Sequence, residues 1–153
     1  MNIVTFTTDF GLKDYYAAYL KGRILSFGIH LQMVDISHQV DAYNIVQAAY
    51  LLRNSYKAFP KGTVHVLSVN NFYDKTPRFL AALYDGHYFI SADNGVFSLL
   101  FDDVPEFMYE IPSNEDLTVQ TLNDVYAKAV AHIFQGKDFH EIGIPTTRRM
   151  QRI

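Results

Sequence analysis

The sequence predicts a layered α/β fold: a mainly parallel sheet with helices on both faces and an antiparallel hairpin. Short runs of β-branched and aromatic residues alternate along the chain with longer amphipathic segments, as strands alternate with helices. Helices between strands favour parallel pairing, because parallel strands need a long crossover connection. Asp85-Gly86 lies between two apolar runs, where a two-residue hairpin turn is expected.

Each element is predicted from its local pattern. The predicted strands are 2–7, 32–36, 63–69, 78–84, 87–91 and 106–111. The predicted helices are 14–26, 41–56, 94–101 and 124–135. The third strand is apolar enough to be central, and Gly136 closes the last helix. Asp41 is the predicted N-cap of the second helix. The side chains expected to face inward from that helix are Val46, Ala49, Tyr50 and Leu52.

Composition restricts the class of protein. A chain of 153 residues is expected to form one domain with a real core, and its hydrophobic content of 49% is typical of soluble globular proteins. The net charge of −3 is spread along the chain, which indicates neither a nucleic-acid partner nor an acidic membrane. No apolar run reaches the roughly 20 residues of a membrane span, and the start lacks a signal-peptide pattern. A cytoplasmic location is therefore expected.

Several common kinds of site are excluded by their missing motifs. The sequence has no cysteine and its histidines show no paired ligand spacing, so neither a disulfide nor a metal site is predicted. Asp9-Phe10-Gly11 spells a kinase magnesium motif, but the other kinase motifs are missing. There is no dinucleotide fingerprint, Walker loop or nucleophile-elbow serine. His65 lies inside an apolar strand and is predicted to be a core residue with satisfied hydrogen bonds.

Two acids follow the first predicted strand, at the end where open α/β sheets place their ligands. The carboxylate of Asp9 can accept hydrogen bonds from the paired hydroxyls of a ribose, or it can serve as a simple turn or capping acid. Asp14 can bind a ligand, or it can complement the dipole of the helix that follows, which is worth about 0.5 kcal/mol. Both alternatives stay open for each residue.

Five sequence blocks in order carry a resemblance over nearly the whole chain. They are Thr-Asp-Phe-Gly-Leu-Lys-Asp (8–14), Lys-Gly (21–22), Val-Asp-Ile-Ser-His (34–38), Phe-Pro-Lys-Gly-Thr-Val-His-Val (59–66) and Asp-Gly-His-Tyr-Phe-Ile-Ser-Ala-Asp-Asn-Gly (85–95). Together they resemble the amino-terminal domain of the S-adenosylmethionine hydroxide adenosyltransferases, relatives of the enzymes that attack the same molecule with fluoride or chloride. Residues 1–145 are assigned to that domain and 146–153 to a linker or tail.

The resemblance implies an activity and an assembly. The family displaces methionine from the ribose 5′ carbon of S-adenosylmethionine with water or hydroxide, so that this molecule is the substrate and no cofactor is expected. Members are similar in having two domains and forming trimers, with the ligand between the amino-terminal domain of one subunit and the carboxyl-terminal domain of the next. The second domain is missing from this sequence, so the chain by itself is expected to be a poor hydrolase.

The resemblance also assigns roles to individual residues. Asp9, with Phe10 beside it, matches the acid that holds the ribose hydroxyls, and Asp14 matches an acid near the methionine ammonium. Tyr43 occupies the place of an aromatic residue near the ribose, although an aromatic in the first turn of a helix is also a common packing residue. These four residues, Asp9, Phe10, Asp14 and Tyr43, are the predicted substrate-binding set.

The predicted catalytic set is Asn70, Arg78 and His132, and here the chain departs from the family. The family's water-positioning acid is replaced by Asn70 and the first of two arginines by Pro77, with Arg78 retained. Asn70 can hydrogen-bond a water but cannot take its proton. His132 matches the third member of the set, or is a structural residue on the buried face of its helix. Three functions therefore stay open: a hydrolase, a non-catalytic adenosine- or S-adenosylmethionine-binding module, and a structural or interaction domain.

Overall fold

The structure is a computed structural model that describes residues 1–113 and 117–149. The strands of this part are β1 (Ile3–Thr8), β2 (Gln32–Ser37), β3 (Val64–Ser68), β4 (Phe79–Tyr84), β5 (His87–Ala92), β6 (Phe107–Ile111) and β7 (Ile144–Pro145). The α-helices are α1 (Tyr16–Leu25), α2 (Ile45–Arg53), α3 (Val96–Leu100) and α4 (Val119–Phe134). Two 3₁₀ turns are Tyr56–Ala58 and Phe139–Glu141.

All seven strands form one sheet in the order β2-β1-β3-β5-β4-β6-β7. The four strands β2, β1, β3 and β5 pair in parallel, and β4, β6 and β7 add antiparallel pairs beyond β5. The β4–β5 hairpin turns at Asp85-Gly86, with φ angles of 53° and 75°, as the preferred two-residue turn requires. The predicted α/β fold is confirmed, with an antiparallel part larger than a single hairpin.

Helices cover both faces of the sheet, as predicted. On one face, α1 and α4 pack against the sheet around Phe6, Leu20 and Tyr126. On the other face, α2 and α3 enclose a second cluster that contains Leu52 and Leu67. Every residue of β1 and β3 is buried. This burial fixes the register of the central strands, because a shift by one residue would turn the apolar side chains of one face toward the other.

The prediction for the second helix was wrong at its start and on its buried face. The N-cap is Asn44, whose side chain accepts a hydrogen bond from the Gln47 amide at 2.9 Å, and not Asp41. Tyr43 has a φ of 66°, and a left-handed residue cannot lie inside a right-handed helix. Of the side chains predicted to face inward, Ala49 and Leu52 are buried, whereas Val46 and Tyr50 are 54% and 66% exposed. The buried side chains are Ile45, Ala48, Ala49 and Leu52.

Two other differences concern the last third of the chain. The last helix begins at Val119, before the predicted residue 124, because Thr118 and Thr121 cap it reciprocally. The short strand β7 was not predicted, and it reaches β6 because Gly143 lacks a Cβ that would overlap the Glu110 carbonyl oxygen. The predicted linker, 146–153, lies within the described residues only as far as 149. Among the residues described, no helix combines the length and apolar character that crossing a membrane requires.

Candidate functional site

Three parallel strands end at the same edge of the sheet, and polar residues follow each of them. Asp9 follows β1, Asn70 lies just beyond β3, and Asp93 and Asn94 follow β5. The backbone amide of Asn70 donates a hydrogen bond to Asp9 Oδ2 at 3.2 Å, so the structure brings these two predicted residues together. We call this region, with Asp9, Asn70, Asn71 and Asn94, the carboxyl edge. It is the position at which open α/β sheets bind their ligands.

The Asp9 carboxylate joins two loops through one oxygen. Oδ2 accepts hydrogen bonds from the Tyr43 and Asn70 amides, both at 3.2 Å. Both donors have left-handed backbones, with φ angles of 66° and 50°. This conformation costs about 1–2 kcal/mol for a residue such as Tyr43 and less for an asparagine. Within the described residues Oδ1 accepts no hydrogen bond. The carboxylate is therefore held between neighbouring loops and is not locked into its own turn, and it keeps one oxygen for a ligand.

Phe10 and Asp14 line an open cleft beside Asp9. The cleft has a volume of about 500 Å³ and is lined by Phe10, Gly11, Leu12, Lys13, Asp14 and Gln39. The Phe10 ring stacks on His38 with centroids 6.5 Å apart. The exposed Asp14 carboxylate accepts a hydrogen bond from the Tyr15 amide at 2.8 Å, next to the start of α1. Tyr43 is 74% exposed. The structure thus joins the Tyr43 backbone to Asp9 and brings Phe10 and Asp14 together in one cleft.

The loop after β3 is fixed at successive residues by asparagine and tyrosine side chains. Asn94 Nδ2 donates to the Val69 carbonyl oxygen at 2.5 Å. Asn71 Nδ2 donates to Ser68 Oγ at 2.8 Å, and Asn71 Oδ1 accepts from the Tyr126 hydroxyl at 2.6 Å. Burial raises the pKa of Tyr126, so its hydroxyl stays protonated and can donate. The sequence analysis did not single out Asn71, Asn94 or Tyr126, because contacts between distant parts of the chain leave no local pattern.

Arg78 is already engaged by the protein. Its guanidinium lies 2.8 Å from Asp93 Oδ2 and 2.9 Å from Glu110 Oε1. The remaining donors reach Thr146 Oγ1 at 3.4 Å and the Arg148 carbonyl oxygen at 3.3 Å. Each guanidinium nitrogen is thus hydrogen-bonded, and the side chain is only 17% exposed. Arg78 ties β4, β5 and β6 to the segment after β7, and this arrangement provides no donor aimed at a water on Asn70.

His132 lies away from Asp9 and Asn70. The Tyr126 hydroxyl accepts from the Ala92 amide at the end of β5, whereas the Phe139 ring packs on Tyr88 near the start of that strand. Helix α4 therefore runs from the carboxyl edge toward the opposite end, and His132 lies about 9 Å further along it than Tyr126. His132 Nε2 is 2.7 Å from the Asp138 carbonyl oxygen, to which it can donate. The structure does not bring this predicted catalytic residue to the site.

A second group of buried polar side chains lies in the amino half of the same strands. His65 Nδ1 is 2.7 Å from Thr5 Oγ1, and His65 Nε2 is 3.1 Å from His87 Nδ1. We call these three residues the histidine cluster. Burial, and then the neighbouring His87, lower the pKa of His65 to about 3. The prediction of a core histidine with satisfied hydrogen bonds is confirmed.

Two further features bear on ligand binding. Asn123, on the inner side of α4, is fully buried, and neither atom of its side-chain amide has a hydrogen-bond partner in the described part of the chain. Within 1–113 and 117–149, no group of three or more histidine, aspartate or glutamate side chains is arranged to hold a metal ion. Asp9 therefore remains the charged group best placed to meet a ligand at the carboxyl edge.

The fold and the site together define an α/β domain with an acidic ligand position at the carboxyl ends of parallel strands. Residues 4–143 match the model of the S-adenosylmethionine hydroxide adenosyltransferase N-terminal domain. Because the match covers most of the chain, the chain belongs to this family.

Named relatives agree with this assignment. The chain is 32% identical over 103 residues to (R)-S-adenosyl-L-methionine hydrolase of Methanocaldococcus jannaschii, a match that covers 64% of this chain and 39% of the relative. It is 30% identical over 149 residues to the hydrolase of the same name from Thermus thermophilus, covering 89% and 58% respectively. An uncharacterized conserved protein from Thermotoga maritima has the same fold, with a TM-score of 0.87 at 22% identity over 98% of this chain and 61% of that one. The chain thus spans less than two thirds of these longer relatives.

Proposed function

We propose that the chain binds S-adenosylmethionine at the carboxyl edge and takes part in its hydrolysis to adenosine and methionine. The observation that carries the proposal is the Asp9 carboxylate, which is held by two backbone amides through Oδ2 and keeps Oδ1 for a ligand. Membership of the family, and relatives that are named S-adenosylmethionine hydrolases, support the choice of ligand.

In this proposal the Asp9 carboxylate recognises the ribose. The Oδ1 atom accepts hydrogen bonds from the sugar hydroxyls, and bonds to an ionised acceptor are stronger than bonds between neutral groups. The Tyr43 ring, 74% exposed beside Asp9, provides an apolar surface for the nucleoside. The exposed Asp14 carboxylate faces the ammonium group of the methionine part. The free protein already holds both loops around Asp9, so binding needs little further ordering.

The proposed reaction is a displacement at the ribose 5′ carbon. The oxygen of a water forms a bond to this carbon while the carbon–sulfur bond breaks, and its electron pair stays on the sulfur of the departing methionine. The water loses a proton to the solvent. Because the sulfonium is a good leaving group, positioning supplies most of the acceleration. The Asn70 side chain can hold the water by a hydrogen bond but cannot accept its proton.

A second function, a non-catalytic binding module for adenosine or S-adenosylmethionine, is favoured by a specific observation. Of the predicted catalytic set, only Asn70 is hydrogen-bonded to Asp9 within the described residues. The Arg78 guanidinium is occupied by Asp93 and Glu110, and His132 is bound to the main chain. The two functions share the same binding step and differ in turnover. We expect slow turnover, since the Asn70 side chain cannot accept the proton of the attacking water.

Calorimetry with adenosine and S-adenosylmethionine tests the binding step. Asp9→Ala is expected to weaken both ligands about 10-fold to 150-fold, which corresponds to about 1.5–3 kcal/mol for a lost charged hydrogen-bond partner. The matched control is Asp41→Ala, which removes the same charge from an exposed position in the loop that leads to Tyr43. If the unaltered chain gives no heat with either ligand, or if the two variants behave alike, the binding proposal is wrong.

Chromatographic detection of adenosine and methionine separates the two functions. The Asn70→Asp variant restores a carboxylate beside the proposed water. A faster release of adenosine by this variant supports the hydrolase, because a carboxylate can accept the proton that an amide cannot. Binding without adenosine release, in both the chain and the variant, favours the non-catalytic module.

Two further proposals concern the molecule in its cell. From the family resemblance we propose that the chain assembles as a homotrimer, which light scattering coupled to gel filtration would test. From its composition we propose a cytoplasmic location, which cell fractionation would test. A monodisperse monomer or a membrane-associated fraction would contradict the respective proposal.

A further inference from the structure

We infer that the hydroxyl of Tyr126 is a positioning group for the ligand site: through Asn71 it fixes the loop after β3, so that the Asn70 amide points at Asp9. The inference rests on the proposed function, because its consequence is measured at the Asp9 carboxylate. Within the described residues no hydrogen bond joins Tyr126 to Asp9, and the proposed effect passes through the loop.

Tyr126 joins two elements with a single oxygen atom. Its side chain is fully buried, and the hydroxyl donates to Asn71 Oδ1 at 2.6 Å while accepting from the Ala92 amide at 3.2 Å. The ring packs edge-on against Phe79, with centroids 5.7 Å apart. The hydroxyl therefore connects the end of β5 to the loop after β3, and the ring supports it from the core.

The Asn71 side chain passes this constraint to the backbone. Its amide is hydrogen-bonded at both ends, since Nδ2 also donates to Ser68 Oγ at 2.8 Å. On the other side of Asn70, the Val69 carbonyl oxygen accepts from Asn94 at 2.5 Å. Asn70 therefore lies between two fixed residues, and its backbone is left-handed, with φ 50°, a conformation that asparagine accepts more readily than most residues. This backbone directs the Asn70 amide to Asp9 Oδ2.

If Tyr126 were only a core residue, its ring would matter for stability and its hydroxyl would not matter for the ligand site. The Tyr126→Phe substitution separates the two, because it keeps the apolar ring and removes one oxygen atom. The matched control is Tyr84→Phe. The Tyr84 hydroxyl also accepts a backbone amide, from Asp102 at 3.2 Å, and its ring also stacks on an aromatic residue, Phe101, at 4.4 Å. Neither Asp102 nor Phe101 contacts the carboxyl edge.

Hydrogen exchange of individual amides in the ligand-free protein, followed by NMR, is the first test. In Tyr126→Phe, the Asn70 amide is expected to exchange about tenfold faster than in the unaltered protein, which corresponds to the loss of about one hydrogen bond. In Tyr84→Phe its exchange is expected to stay unchanged. If Tyr126→Phe does not fold, Asn71→Ala removes the same connection and is expected to give the same pattern. An Asn70 amide that exchanges at the unaltered rate in the folded variant overturns the inference.

Ligand affinity is the second test. Tyr126→Phe is expected to weaken the binding of S-adenosylmethionine about tenfold in the unaltered background. In the Asp9→Ala background it is expected to have no effect, because the backbone amide of Asn70 then has no carboxylate to bind. Equal losses in both backgrounds overturn the inference. If the unaltered chain binds no adenosyl compound, the proposed function fails, and the exchange experiment still decides the role of Tyr126.

Discussion

The amino and carboxyl halves of the same parallel strands hold their polar groups in opposite ways. In the histidine cluster, both ring nitrogens of His65 have partners, and the rings of Tyr56, Phe59 and Phe89 pack around a side chain with no exposed surface. At the carboxyl edge, Asp9 is half-buried and has one oxygen engaged by two amides. The first group is closed to solvent and the second is open to it.

The difference separates stability from binding. A buried polar group with every partner supplied by the protein contributes to the folded state but has no capacity left for a ligand. A carboxylate that the protein satisfies on one side keeps a strong acceptor on the other. Substitutions in the histidine cluster should therefore change the free energy of unfolding, whereas substitutions at Asp9 should change ligand affinity.

The largest expected effect comes from removing the ring of His65. His65→Ala leaves the Thr5 hydroxyl without its partner and opens a cavity among aromatic rings, and should lower the free energy of unfolding by about 3 kcal/mol. Urea denaturation measures this loss. Calorimetry of the folded variant should show unchanged affinity for S-adenosylmethionine. A variant that keeps its stability and loses its affinity would reverse the comparison between the two halves.

The pH dependence of the free energy of unfolding tests the histidine cluster without changing its packing. Burial, and then His87, hold the pKa of His65 at about 3, whereas a histidine in an unfolded chain titrates near 6.5. Between these values the unfolded chain binds the proton more tightly than the folded chain does. The free energy of unfolding is therefore highest above about pH 6.5 and falls as the pH decreases. The expected loss by pH 5 is about 2 kcal/mol.

Denaturation measured from pH 7 to pH 5 gives this loss, with His65→Leu as the control. Leucine cannot titrate, so the variant should show a flatter dependence on pH. Identical slopes for the two proteins would mean that other groups are responsible for the loss.

An intermediate effect of opposite sign is expected at Asn123. Neither atom of its buried amide has a partner within the described residues, and such a group costs about 1–3 kcal/mol. Asn123→Leu should therefore raise the free energy of unfolding by about 1–2 kcal/mol, measured by urea denaturation. A loss of stability together with a loss of ligand affinity would instead assign Asn123 to the binding site, and would extend the carboxyl edge toward α4.

The smallest effect is expected at Asp14, and it decides between the two roles of this residue. Asp14→Asn should change the free energy of unfolding by no more than about 0.5 kcal/mol, since the carboxylate is exposed beside the start of α1. If Asp14 faces the methionine ammonium, calorimetry should show weaker binding of S-adenosylmethionine and unchanged binding of adenosine. If the variant binds both ligands as tightly as the unaltered chain does, Asp14 contributes only to the start of α1.

Local patterns were enough to predict most of the fold. Strand β1 is a run of β-branched and aromatic residues, and Asp85-Gly86 has the two residues that a hairpin turn prefers, so both were predicted close to their observed bounds. The start of α2 could not be read in the same way. Both Asp41 and Asn44 are good caps, and the choice between them depends on the left-handed backbone of Tyr43, whose amide the distant Asp9 binds.

The candidate site was predicted in part for the same reason. The position of Asp9 follows from the end of a strand, which is a local signal. The Tyr126 partner of Asn71 and the Glu110 partner of Arg78 come from elements far away in the sequence, whereas His132 is bound by Asp138, just after its own helix. The residue types that match the family pattern therefore indicated which hydrogen bonds and charges each side chain can offer. Where each side chain points depends on the hydrogen bonds of the folded chain.

The shared oxygen of Asp9 has a consequence for how the site moves. Because the Tyr43 and Asn70 backbone amides bind the same atom, removal of that carboxylate takes both hydrogen bonds away together. Both backbones then lose the contact that offsets their unfavourable φ angles. One acidic side chain thus couples the positions of the two loops, and a substitution of Asp9 is expected to disturb both of them.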